Sequence, residues 1–78
     1  MADSDYVRTK AEVGAHRECT DLCNNGYLLV SQGKTLNGSY YILRHRSNGR
    51  RLIIVVRDGG YVVRENGTTL KNVCYIEP

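Results

Sequence analysis

The chain contains no tryptophan and no phenylalanine, and Pro78 is its only proline. Whatever core it builds must come from six tyrosines and from its Val, Ile and Leu runs. Long hydrophobic runs are missing as well. A membrane-spanning helix needs about 20 apolar residues, and no stretch approaches that length or the pattern of a signal peptide. Cysteine is scarce and odd in number: Cys19 and Cys23 stand four apart, and Cys74 is remote. With no second C-x-x-C and no paired histidines, this spacing excludes a zinc site. It fits unpaired, partly buried thiols in a reducing, intracellular (cytoplasmic) compartment.

Catalytic machinery is equally thin. His16 and His45 are the only histidines, and neither sits in a motif with a serine or cysteine nucleophile. The i, i+3 spacing of His16 and Cys19 is not a dyad signature on its own. Gly33-Lys34-Thr35 looks like the end of a P-loop, but the preceding glycine spacing and the following helix are missing. The sequence therefore predicts no enzyme, no metal and no cofactor.

Seventy-eight residues make one domain, 1–78, which buries only about 60–65% of its unfolded surface and has a compact core. The net charge of +3 is unevenly spread. Arg44, Arg46, Arg50, Arg51, Arg57 and Arg64 face only Asp58 and Glu65 across residues 44–65, whereas residues 1–23 hold five acids against three bases. A basic half of this kind favours an anionic partner. The plainer reading is a solvated β-surface kept soluble by its arginines.

The element pattern runs as follows. Residues 1–10 are polar and read as loose. Ala11 to Cys23 is weakly helical, and Gly14 puts the start near Ala15 or His16. Asn24-Asn25-Gly26 is a strong stop, since Asn and Gly tolerate the left-handed conformation that closes helices. Tyr27–Val30 is an unbroken apolar run, as in a central strand covered on both faces. Ser31 to Gly38 reads as a polar loop. Ser39–Arg46 alternates, with Tyr41, Leu43 and His45 on one face and Tyr40, Ile42, Arg44 and Arg46 on the other. Ser47-Asn48-Gly49 predicts a type I′ hairpin turn. Arg51–Arg57 is the most β-prone stretch, Asp58-Gly59-Gly60 turns again, and Tyr61–Arg64 returns. After Asn66-Gly67, Thr68 or Thr69 suits the cap of a short helix carrying Leu70, Val73 and Cys74, with a last strand through Val73–Ile76 as the competing reading of residues 69–76. The predicted class is α+β: a small antiparallel sheet of three to four strands, an N-terminal helix, and a short C-terminal helix or strand.

Gly26 to Leu43 (GYLLVSQGKTLNGSYYIL) resembles, without a gap, the strand–loop–strand core of SH2 domains, G-x-F-L-V-R-E-S followed by G-x-Y-x-L. Gly26, Leu29, Val30, Gly38 and Tyr40 match. Arg17-Glu18 is similar to the R-E that opens the family's first helix, Gly59–Val63 to its G-G-F-Y-I strand, and Thr69–Val73 to the start of its second helix. The departures are Ser31 in place of the phosphate-gripping arginine, no histidine within Leu52–Val56, no opening tryptophan, and an end near the second helix.

The resemblance implies an SH2-like fold. It also implies a degenerate phosphotyrosine site lined by Arg17, Ser31, Gln32, Lys34 and Thr35, with Arg44 and Arg46 reaching in from the next strand. Serine cannot supply the bidentate fork of a guanidinium. The functional expectation is a non-catalytic module that binds a signalling protein or phosphopeptide weakly, or without phosphate, as an adaptor, stand-alone inhibitor or pathogen mimic. Strand addition at an exposed edge is a second docking mode. The rival is a small basic β-domain binding single-stranded nucleic acid through Tyr40, Tyr41 and Tyr61 among the arginines. Against it, the arginines read as falling on both faces.

Overall fold

The computed structural model describes residues 2–36, 38–57 and 59–75, with side chains from Lys10 onward. One helix, α1 (Ala2–Asn24), precedes five strands: β1 (Tyr27–Thr35), β2 (Gly38–His45), β3 (Arg51–Arg57), β4 (Gly60–Glu65) and β5 (Thr68–Cys74). All neighbours are antiparallel and the sheet order follows the chain, β1-β2-β3-β4-β5. This corrects the expected SH2-like arrangement of three to four strands. There are five, and Thr68–Cys74 is a strand paired with β4, so a second helix is absent among the described residues.

Three further expectations change. The polar segment after Val30 is ladder rather than loop. β1 runs on to Thr35, and Gln32↔Tyr41, Gly33↔Tyr40, Lys34↔Ser39 and Thr35↔Gly38 pair across a tight hairpin. Its polarity reflects exposure of the strand, since both faces of this hairpin reach solvent. Nor is Tyr27–Val30 a central strand: β1 is an edge. The helix begins at Ala2, well before Ala15, so residues 2–10 are helical rather than loose.

The helix start was misplaced because Gly14 reads as a weak helix former, whereas it lies inside α1 where the helix approaches the sheet. Ala11, Ala15 and Cys19 recur every four residues and are buried, with Leu22 continuing the row. Small residues let the helix sit close to a tyrosine-rich sheet. Gly14 shows how close: a Cβ there would lie 3.0 Å from the Tyr61 ring and would collide with the Tyr75 hydroxyl. Leu43, Leu52, Ile54, Val56, Tyr61 and Val63 supply the sheet side of the core, flanked by Tyr27, Tyr41, Val73 and Tyr75. Burial pushes the Cys19 thiol up in pKa, with neighbouring Cys23 adding to it. Cys23 itself is exposed, contrary to the expectation that the sheet would cover both thiols.

A polar clasp reinforces this layer. The Tyr61 hydroxyl donates to Glu18 Oε1 at 3.0 Å, and Lys71 Nζ donates to the same oxygen at 2.7 Å, tying α1 to β4 and β5. Burial first, and the bond to Glu18 second, push the Tyr61 phenol up to about 12. The Glu18 carboxylate likewise holds Lys71 above its usual value.

The turns explain the meander. Asn66 (φ 51°) and Gly67 (φ 81°) form the type I′ pair that joins β4 to β5. The β2–β3 connection is instead a longer turn with only Gly49 at positive φ (74°). It folds over His45. His45 Nδ1 accepts from the Ser47 and Asn48 amides, and its Nε2 lies 3.2 Å from the Asn25 carbonyl. Two donors on Nδ1 place the ring proton on Nε2, where it bonds to the end of α1. The expected type I′ geometry at Asn48-Gly49 is displaced by this histidine cap.

Candidate protein-docking face

α1 covers one face of the sheet, and no described element covers the other. Directly opposed residues share a face, so the register assigns the open side. Tyr40, Ile42 and Arg44 of β2 lie there, with Arg51, Ile53, Val55 and Arg57 of β3, and Val62 and Arg64 of β4. Leu28 and Ser31 border it from β1, and Thr69, Asn72 and Cys74 from β5.

Two zones result. The middle is an apolar strip of Ile42, Ile53, Val55 and Val62, with Tyr40 at its β1 side. Val62 is only 5% exposed although no described element covers it. The Tyr40 ring lies over Gly33, where a Cβ would come within 2.7 Å of its hydroxyl. This is the aromatic filling of a strand glycine.

One end of the strip is strongly basic. Arg44 and Arg51 are directly opposite each other, and Arg64 pairs with Ile53, the next residue on that face of β3. Like charges placed opposite each other destabilise a sheet by a few tenths of a kcal/mol. Arg64 donates to the Gly67 carbonyl at 3.1 Å, while its Nε is buried without a hydrogen-bond partner among the described residues. Buried donors are normally satisfied, so this one adds to the unmet positive potential. Arg57 stands at the other end, beside a depression of about 100 Å³ lined also by Gly60, Val62, Asn72 and Cys74. No acidic side chain among the described residues faces this side. Arg50, in contrast, is engaged elsewhere, through a two-point contact with Glu65 (2.9 and 2.6 Å).

The residues expected to hold phosphate are dispersed. Arg17 is exposed on α1, on the covered side of the sheet. Ser31 and Arg44 belong to the open face. Gln32 and Lys34 pair with Tyr41 and Ser39 and share with them and Gly33 a shallow hollow of about 230 Å³. Thr35 closes the β1–β2 hairpin opposite Gly38. Arg46 lies past β2, its amide donating to the Gly26 carbonyl at 2.9 Å. Gln32 and Lys34 are thus brought together, Arg44 and Ser31 share a face, and Arg17 and Arg46 join neither group.

Sequence reasoning missed the convergence of Arg51, Arg57 and Arg64 with Arg44. The signal was present: in R-L-I-I-V-V-R, period-two alternation puts Arg51, Ile53, Val55 and Arg57 together. Four of the six arginines thus share the open face, while Arg46 and Arg50 lie outside it. Tyr41 and Tyr61 lie on the covered side, leaving Tyr40 as the aromatic of the open face among the described residues.

Comparison with protein-family models, with curated proteins and with solved structures finds no match. The likeness of Gly26–Leu43 to SH2 domains therefore stands on those residues alone. No helix among the described residues is long and apolar enough to cross a membrane, and no cluster of three or more metal-ligating side chains occurs among them.

Proposed function

We propose that the chain is a non-catalytic protein-interaction module. It docks, independently of phosphate, through the open face of β2–β4 onto a partner surface that combines carboxylates with apolar side chains. The observation that carries this reading is the cluster of Arg44, Arg51 and Arg64 at neighbouring register positions, with no carboxylate of the described residues on their face, beside the half-buried strip of Ile42, Ile53 and Val55. A sheet face that carries apolar residues and no second layer normally acquires one. Arginine is enriched in protein interfaces and lysine depleted, and the open face carries arginine alone as its cation.

The arginine cluster also favours a second reading, binding of single-stranded nucleic acid. That mode uses aromatic rings on which bases stack. Here Tyr40, the one open-face ring among the described residues, is already laid over Gly33, and the strip is aliphatic. The protein reading has the better fit.

Selection of displayed random peptides against wild type, with counter-selection against the Arg44→Glu/Arg51→Glu variant, tests the choice. Enriched sequences that mix Asp or Glu with Leu, Ile or Phe support docking. Absence of such enrichment, together with single-strand binding that falls steeply with salt, would overturn it in favour of nucleic acid.

A further inference from the structure

β1 has the sequence of an interior strand and the position of an edge. Leu28, Leu29 and Val30 are consecutive, yet 54%, 41% and 60% exposed. Leu28 lies opposite Arg44 on the open face and Leu29 opposite Leu43 on the covered face, so the apolar surface wraps both sides of the strand. A register shift between Leu29 and Ser31 inserts Val30 as an extra residue. A bulge often guards an edge. In β1 the added residue is itself apolar and exposed, and it enlarges the greasy edge instead of charging it.

The opposite edge shows the contrast. β5 presents Thr68, Thr69, Lys71 and Asn72, with Leu70 as its single exposed large apolar residue. Polar and lysine-bearing edges resist pairing, whereas a long uncharged apolar edge is a template for another strand. From Tyr27 to Gly33, β1 carries no charge at all.

We propose that the protein is a homodimer in which β1 of one copy pairs antiparallel with β1 of a second copy, joining two five-stranded sheets into one of ten. Self-pairing suits this strand. A two-fold axis near Val30 and Ser31 meets no like-charge clash, because the two Lys34 side chains fall at opposite ends of the shared ladder. Such an isologous contact closes on itself and does not propagate. The dimer is independent of the open-face reading, since it uses the strand edge.

Sedimentation velocity across protein concentration, on wild type, Leu29→Lys, Val30→Lys and the opposite-edge control Leu70→Lys, tests the inference. All three positions are exposed, and far-UV circular dichroism checks that each variant folds. The expected result is a wild-type dimer at about 100 μM, a dissociation constant raised at least about 100-fold by either β1 substitution, and less than about a two-fold change for Leu70→Lys. Should the β1 variants fail to fold, amide exchange on wild type decides: β1 amides must become more protected as protein concentration rises. A wild type that stays monomeric at that concentration, a dimer that survives both folded β1 variants, a dimer lost equally with Leu70→Lys, or β1 exchange indifferent to concentration would each overturn the proposal.

Discussion

The Tyr61–Glu18–Lys71 clasp makes alkaline pH the sharpest probe of how α1 is held. The Tyr61 phenol rises from an ordinary 10.0 to about 12 because ionising it would strand a phenolate in a buried site beside the Glu18 carboxylate. In the unfolded chain the same phenol ionises near its ordinary value. Between pH 10 and 12 the unfolded state has therefore released a proton that the folded state still holds, and stability falls as pH rises. Each decade of pKa difference is worth about 1.36 kcal/mol, so roughly 2 kcal/mol is lost by about pH 11.5. Lys71, raised by its bond to Glu18, loses its contribution in the same direction. A domain of this size has a total stability of about 4–12 kcal/mol, so the loss is a large share.

Urea melts followed by far-UV circular dichroism at pH 9 and pH 11.5 measure it. At a slope near 1 kcal/mol per molar urea, the wild-type midpoint falls by about 2 M. Tyr61→Phe lowers stability at pH 9 by about 1 kcal/mol through the lost hydrogen bond. It also removes the largest part of the alkaline dependence, leaving the contributions of Lys71, of the Cys19 thiol and of the Tyr41 phenol, the last two raised mainly by burial. If Tyr61→Phe shows the full wild-type fall between the two pH values, the clasp does not hold the helix in the way described.

Other outcomes follow from the same geometry. Gly14→Val drives side-chain atoms into Tyr61 and Tyr75 and lowers stability by about 1–3 kcal/mol, whereas Gly49→Ala meets no atom within 4 Å and costs about 1 kcal/mol through its φ of 74° alone; thermal melts compare the two. The Arg50 guanidinium holds the Glu65 carboxyl below its usual range, so its stabilisation is present above about pH 4.5 and is lost as pH falls through the lowered value. Arg50→Ala should thus be less stable than wild type near neutrality, and the gap should narrow in acid titrations as pH falls below the ordinary value of 4.5. Generic phosphotyrosine peptides should bind more weakly than about 10 μM by calorimetry, and Arg17→Ala should leave that binding unchanged, because Arg17 and Ser31 lie on opposite sides of the sheet.

The legible parts of the fold were those fixed by local backbone chemistry. Gly26, at φ 98°, ends the helix where Asn24-Asn25-Gly26 signalled it, and the glycine turns delimit β3 and β4 as read. What misled was exposure. Ser31–Thr35 is polar because the hairpin is solvated on both faces, and a solvated strand has the composition of a loop. Ala11, Ala15 and Cys19 are buried as their helical spacing suggests, whereas Gly14, read as weakening the first turn, lies inside α1 at its close approach to Tyr61. Thr68–Cys74 became a strand because β4 offered it a ladder, a tertiary choice that its own residues left open. In the site, alternation within Arg51–Arg57 was readable, but joining Arg44, Arg51 and Arg64 required the cross-strand register.

Docking of an acidic, apolar protein surface on the open face of β2–β4, as proposed, is put to the test by a methyl and amide NMR titration with the strongest selected acidic peptide. Shifts are expected at Ile42, Ile53, Val55 and Val62 and at the amides around Arg44, Arg51 and Arg64, abolished by Arg44→Glu/Arg51→Glu. Shifts confined to α1 or to the Gln32–Lys34 hollow, or binding unchanged by that charge reversal, would contradict it.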